Sequence, residues 1–201
     1  MTHERDVFIN CPFDRQYLPL LRALMFAVHD CGFHARSALE VEDSGEVRVQ
    51  KILRIIGESP YGIHDISRIE TPRFNMPFEL GLFLGAKAFG GPEQQSKRCL
   101  VMDEQQYRYQ QYCSDIAGQD IQAHGGRPNV TIELVRNWLS TTLAADGSIP
   151  SGSILAARYR AYRAALPESC RKLQFNPRKL TFRDHRVLVV GWLDANPWTP
   201  S

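Results

Sequence analysis

Short apolar runs alternate with amphipathic stretches along the first two thirds of the chain, and this alternation restricts the fold more than any single residue does. Asp6–Asn10 is an apolar run that Pro12 stops, because proline cannot continue a central strand. Tyr17–Cys31 follows, with Leu20, Leu21, Leu24, Met25 and Val28 spaced by three and four and Gly32 placed to end a helix. The pattern then repeats. Strands are expected at Phe33–Leu39, Tyr61–Ser67, Cys99–Asp103 and, briefly, Asp120–Ala123. Helices are expected at Val47–Ile56, Pro77–Phe89 and Val130–Leu143, the last built on Ile132, Val135, Trp138 and Leu139. Gln105–Tyr112 reads as a polar, aromatic helical segment. Strand and helix in regular alternation imply an α/β fold of the flavodoxin-like kind: a parallel sheet of about five strands with helices on both faces.

The alternation ends at Ala145–Ser153, a stretch of turn formers that reads as a linker. It divides an α/β domain, residues 1–144, from a helical extension over residues 154–201. Helices are expected there at Ile154–Leu166, Ser169–Leu173 and Arg183–Leu193, with Thr181 capping the last. Tyr159, Tyr162, Leu166, Trp192 and Trp198 give the extension apolar surface, either to pack on the domain or to mediate association.

Composition excludes several function classes. With 24 basic and 22 acidic residues the net charge is +2, which gives no electrostatic case for nucleic-acid binding or a polybasic membrane anchor. No apolar run approaches the roughly 20 residues of a membrane span, and the polar N-terminus lacks a signal peptide's apolar stretch. The five cysteines show no C-x-x-C spacing, so reduced thiols and a cytoplasmic location are expected. The six histidines show no metal-ligand spacing.

Ligands of open α/β sheets bind at the carboxyl ends of the strands. Polar residues crowd those ends here: Asn10, Asp14, Glu42, Asp43, Asp65, Ser67, Arg68, Arg73, Asn75 and Asp103. Neighbouring strand residues face opposite ways, so Ile63, Asp65 and Ser67 share one face while His64 and Ile66 take the other. His64 reads as a core histidine, and Asp65 as either a substrate-orienting or a loop-fixing acid. Arg68 and Arg73 could hold phosphates or stand in solvent. Tyr107, Tyr109 and Tyr112, with Arg108, could stack on a base or pack beside the sheet, the second being favoured. His124, Gly125 and Gly126 lack the lysine and helix start of a phosphate loop.

Glu79 stands out. It is placed in the first turn of the third expected helix, where the helix dipole favours a carboxylate, with Phe74, Met76, Phe78 and Leu80 as an apolar wall. Capping explains it poorly. An Asn75 cap would leave Glu79 one residue past the capping-box position, and a helix starting at Pro77 would be capped by Met76, which cannot accept the bond. An ionised carboxylate beside apolar surface suits chemistry at a sugar C1, where it can stabilise an oxocarbenium-like centre or attack it.

Two stretches carry a resemblance. Asp6–Cys11 resembles the opening strand of Toll/interleukin-1-receptor (TIR) domains. The helix with Pro77, Phe78, Glu79, Leu80 and Gly81 resembles the helix that bears the catalytic glutamate of TIR NAD hydrolases. It is also similar to the nucleophile helix of nucleoside 2-deoxyribosyltransferases, and Val7–Phe13 looks like those enzymes' first strand and loop. More specifically, the chain looks like bacterial TIR-like predicted nucleotide-binding proteins, several of which act in phage defence. The resemblance covers residues 5–144 and implies a flavodoxin-like fold and an N-glycosidic-bond hydrolase. NAD or a related nucleotide would be substrate rather than cofactor, Glu79 would carry the chemistry, and TIR–TIR self-association would follow. Asn10, Asp14, Asp65, Ser67, Arg68, Arg73 and Asn75 are the expected substrate-binding positions. A non-catalytic nucleotide-binding or docking module, or a deoxyribosyl transferase, remain as alternatives.

Overall fold

The computed structural model describes residues 3–40, 43, 45–67, 74–142 and 149–198. Five strands, β1 (Asp6–Asn10), β2 (His34–Arg36), β3 (Tyr61–Asp65), β4 (Arg98–Asp103) and β5 (Gln122–Ala123), form one all-parallel sheet in the order β2-β1-β3-β4-β5. This is the flavodoxin-like order, whose direction of winding reverses between β1 and β3. The helices are α1 (Leu18–Asp30), α2 (Arg48–Glu58), α3 (Asn75–Phe89), α4 (Pro92–Gln95), α5 (Pro128–Thr142), α6 (Gly152–Lys172) and α7 (Phe182–Ala195).

Alternation along the strands sorts the core into two layers. Val7, Ile9, Ile63, Leu100 and Met102 face α1 and α5, while Phe8 faces α2 and α3 through Ile52, Ile55, Ile56 and Phe83. Val101 and Ile66 meet Met76 and Leu80 of α3 beside them. Gly62 sits where a side chain would not fit. A Cβ there would lie 2.7 Å from His64 Nε2 and 2.8 Å from the Phe83 ring, so the two rings pack directly over bare backbone. Below α2, the Lys97 ammonium donates to the carbonyls of Ile56 (2.6 Å) and Ser59 (2.5 Å), giving partners to a helix C-terminus.

Helix α3 begins at Asn75, two residues earlier than the sequence suggests, with Phe74 as its N-cap and no side-chain cap. Pro77 is tolerated inside the first turn because its missing N–H would have no partner there. Gln105–Tyr112 is not a helix but holds a single 3-10 turn, Arg108–Gln111, with a second at Ser114–Ile116.

The C-terminal helices belong to the same core. Leu155, Tyr159 and Tyr162 of α6 and Phe182, Leu188 and Val189 of α7 pack in the cluster that contains α1 and α5. Phe26 of α1 stacks with Tyr162 at 5.3 Å between ring centroids. Arg158 forks onto Asp30 at 3.0 Å and lies over the Trp198 ring. The expected break before Ser169 is absent: α6 runs unbroken through Pro167. Thr181 caps α7 as expected and forms a capping box with Asp184. Of the expected linker, residues 145–148 lie outside the described residues. Among the described residues no helix is long and apolar enough to cross a membrane.

If α6 is integral to the fold, Leu155→Ala should lower stability by about 2–5 kcal/mol, the usual cost of emptying a buried leucine site. Urea unfolding followed by circular dichroism should show a single transition moved to lower denaturant. An unchanged midpoint would mean that the extension is dispensable.

Candidate functional site

The carboxyl ends of β1, β3 and β4 converge beside the point where the winding reverses, and each is closed by a different polar network. At the end of β3, Asp65 is fully buried. Its Oδ2 accepts from the Tyr17 hydroxyl at 2.5 Å and lies 2.9 Å from His124 Nε2. Its Oδ1 accepts from the Ser67 backbone N–H at 2.9 Å and from the Ser67 hydroxyl. One residue thus ties together α1, β3 and the turn after β5.

Ser67, His124 and Asp65 are the residue types of a nucleophilic triad, but the geometry is different. In such a triad the imidazole uses one nitrogen for serine and the other for the acid. Here Nε2 faces both Ser67 Oγ (3.0 Å) and Asp65, while Nδ1 accepts the Gly126 N–H at 2.9 Å. The Nδ1 bond fixes the proton on Nε2, and the Ser67 hydroxyl donates straight to Asp65. The cluster fastens the loop; it does not activate an oxygen. Gly125 and Gly126, both at positive φ, shape the turn that presents His124.

Asp103 closes β4 in the same way. Arg108 donates to it and to the Ser67 carbonyl, and the Tyr112 hydroxyl bridges Asp103 (3.1 Å) and the Ile66 carbonyl (2.7 Å). Tyr112 and Arg108 therefore pack beside the sheet, and Tyr109 is buried there. Tyr107 alone of this group is well exposed.

Asn10 ends β1 on the other face. Its amide donates to the Met76 carbonyl at 2.8 Å and meets His64 Nδ1 at 3.1 Å, so it seats the start of α3. His64 is buried and its pKa is lowered to about 3 by burial, which keeps the ring neutral. Asp14 starts α1, its Oδ1 accepting the N–H groups of Gln16 (3.0 Å) and Tyr17 (2.9 Å).

Glu79 is the fifth residue of α3, two residues further in than the sequence suggests, and 2 % exposed. Its environment is set by burial rather than by the helix dipole. Burial raises its pKa above the ordinary 4.5, while the charge of Arg48 and a hydrogen bond from Asn75 oppose the rise. Of the expected apolar wall, Met76 and Leu80 are buried beside it, whereas Phe74 and Phe78 are exposed on the outer side of the helix. Asn75 is exposed and reaches Glu79 one turn on.

Three carboxylates, Asp65, Glu79 and Asp14, come within electrostatic reach of Cys11, just past the end of β1. Burial first, and then these charges, push its thiol pKa well up. Glu79, Asp65 and Asp14 thus each act electrostatically on Cys11, while Asn10 and Ser67 turn their side chains to internal partners. Arg68, Arg73 and Glu42 lie outside the described residues. Asp43 is exposed, accepting the Gly45 N–H. Sequence reasoning missed Tyr17, His124 and Arg48 as neighbours of the site. For His124 the two glycines that follow it mark a turn, but not the partner its ring meets. Among the described residues no group of histidines, cysteines and acids could hold a metal.

Asp65→Asn should cost about 1–3 kcal/mol, because an amide cannot accept from all the donors that surround the carboxylate. Thermal unfolding of the variant checks this, and an unchanged midpoint would remove Asp65 as the fastening point of the loops. No protein-family model, curated protein or solved structure matches the chain, so its reading rests on the geometry of this sheet edge.

Proposed function

We propose that the chain is an N-glycosidic-bond hydrolase acting on NAD or a related nucleotide, with Glu79 as the reacting carboxylate. The observation that carries this reading is the position of Glu79. It is a poorly solvated acid on the helix after β3, at the edge where such sheets bind ligands, and with Asp14 and Asp65 it acts electrostatically on Cys11 at the end of β1. The resemblance of the Pro77–Gly81 stretch to the glutamate helix of TIR NAD hydrolases points the same way.

The chemistry asks little of the protein. Nicotinamide carries a positive charge in the nucleotide and leaves as a neutral base when the bond from C1′ to its ring nitrogen breaks. No general acid is needed for that departure. The electron deficiency left on the sugar is met by the Glu79 carboxylate, either through space or by a transient ester that water then opens. ADP-ribose and a proton complete the balance. A carboxylate held in low dielectric interacts more strongly with such a cation than one in water. Arg48, at the first position of α2, supplies positive charge beside Glu79 for the phosphates, and the same role falls to Arg68 and Arg73 in this proposal. Self-association and a role as a toxic effector in phage defence follow from the resemblance alone.

A second reading, a nucleotide-binding or docking module without turnover, is favoured by one observation. Asn10 and Asp65 direct their side chains to internal partners, and Glu79 is 2 % exposed.

Incubation of concentrated protein with NAD, beside a Glu79→Gln variant, separates the two. The hydrolase reading expects nicotinamide from the wild type and a loss of about 100-fold or more in the variant. Equal release from both would take Glu79 out of the mechanism, and none from the wild type would favour the module. The pH dependence has a definite sign. The reacting form is the carboxylate and its pKa is raised, so release should climb with pH above 4.5 rather than be complete there. Stability runs the opposite way. The folded state holds this proton more tightly than the unfolded chain, so the Glu79 contribution falls as pH rises from 4.5 through the raised value. Glu79→Gln should therefore be the more stable protein at pH 7, and its advantage should vanish in acid.

A further inference from the structure

The α6–α7 turn closes a cavity of about 210 Å³ against α1 and the loops after β1 and β2. Its walls are largely apolar, with Leu21 and Met25 of α1, Leu39, Leu180 and Phe182 among them. Arg22, His185, Thr181 and Asp14 are its polar members. Glu79 takes no part in it.

The polar members are arranged for an anion. Arg22 forms no ion pair with a described residue, and its one hydrogen bond reaches the Pro177 carbonyl at the long distance of 3.5 Å. His185 is 3 % exposed. Its Nδ1 lies 3.2 Å from the Tyr162 hydroxyl, whereas its Nε2 has no partner of full hydrogen-bond geometry, its contact with the Arg22 backbone being a weak one. With the tyrosine donating to Nδ1, Nε2 carries a hydrogen that only the poorly placed Arg22 backbone approaches, and a buried donor of this kind has room for a better acceptor. Burial and the Arg22 charge lower the His185 pKa to about 3, so the ring is neutral and adds a donor, not a charge. The N-terminus of α7 opens at the same wall. Its capping box uses the Asp184 and Thr181 N–H groups and leaves those of Phe182 and Arg183 without helical partners. Asp14 is the only acid among the lining residues, and its Oδ1 is turned to the Gln16 and Tyr17 amides.

We infer that this cavity is a binding site for a small monoanionic carboxylate with an aryl or branched-alkyl body, its carboxylate held by Arg22 and His185 Nε2 and its body against Leu21, Met25 and Phe182. Size fits the class. An apolar cavity of roughly 150 Å³ takes benzene, so the available space takes a ring with its acid group. A single guanidinium matches one carboxylate by a two-pronged bond. The site is independent of the chemistry proposed for Glu79.

Benzoate is the probe, with benzamide as its uncharged counterpart, added to ¹⁵N-labelled protein. Amides at Arg22, Thr181 and His185 should shift together and saturate with benzoate, and benzamide should bind about tenfold or more weaker. Arg22→Gln should weaken benzoate by a similar factor, Leu39→Trp should fill the space and abolish binding, and Glu79→Gln should bind as the wild type does. Shifts that fail to saturate or scatter over the surface would overturn the assignment, as would equal binding of benzoate and benzamide. If Arg22→Gln fails to fold, the benzamide comparison and Leu39→Trp decide the matter.

Discussion

A carboxylate shut away from water must find every hydrogen bond in the protein, and Asp65 imposes that condition on the structure around it. Desolvating it without donors would cost several kcal/mol. Tyr17, Ser67 and His124 meet the requirement from three segments far apart in sequence. Once they do, the start of α1, the end of β3 and the turn after β5 hold a common position. The strand ends on either side follow the same logic, with Asp103 answered by Arg108 and Tyr112 and the Asn10 amide spent on the first turn of α3. A parallel sheet leaves its polar strand ends to be satisfied by the loops beyond them, and here the loops are fixed by that demand.

Glu79 stands apart from this pattern. Asp65 and Asp103 each accept several hydrogen bonds, whereas for Glu79 burial outweighs Arg48 and Asn75. An acid whose charge the fold disfavours is maintained at a cost in stability, and such costs concentrate where a charge is needed for a task. The same contrast explains why Asp65 is a poor candidate for chemistry despite its central place: its lone pairs are already occupied.

The sequence discloses these features unevenly. Strands with apolar residues on both faces and helices of three-and-four spacing are local patterns, so β1, β3, β4, α1 and α5 were legible almost to the residue. The opposite facing of His64 and Asp65 follows from strand geometry and is seen in their partners, Asn10 on one side and Tyr17 on the other. What stayed hidden depends on distance in sequence. Nothing near His124 tells that its ring lies 2.9 Å from Asp65, and nothing near Asp30 names Arg158. The start of α3 was misplaced because Pro77 is equally at home at the first helical position and slightly within it, and that shift changes Glu79 from a dipole-stabilised acid into a buried one. Pro167 misled for a related reason: a proline marks a break unless packing on both sides, here from Tyr162 and Cys170, holds the helix together.

Helix α1 connects the two places where ligands are proposed to act. Tyr17, its N-cap, bonds Asp65 at the sheet edge, and one turn later Leu21 and Arg22 line the cavity under α7. The helix is wedged between α5, α6 and α7 on one side and the sheet on the other, and close-packed elements of this kind shift as units rather than bend. The C-terminal helices are therefore more than an appendage to an α/β domain. They set the seat of α1, and through Tyr17 that seat fixes the geometry of the loops that surround Glu79.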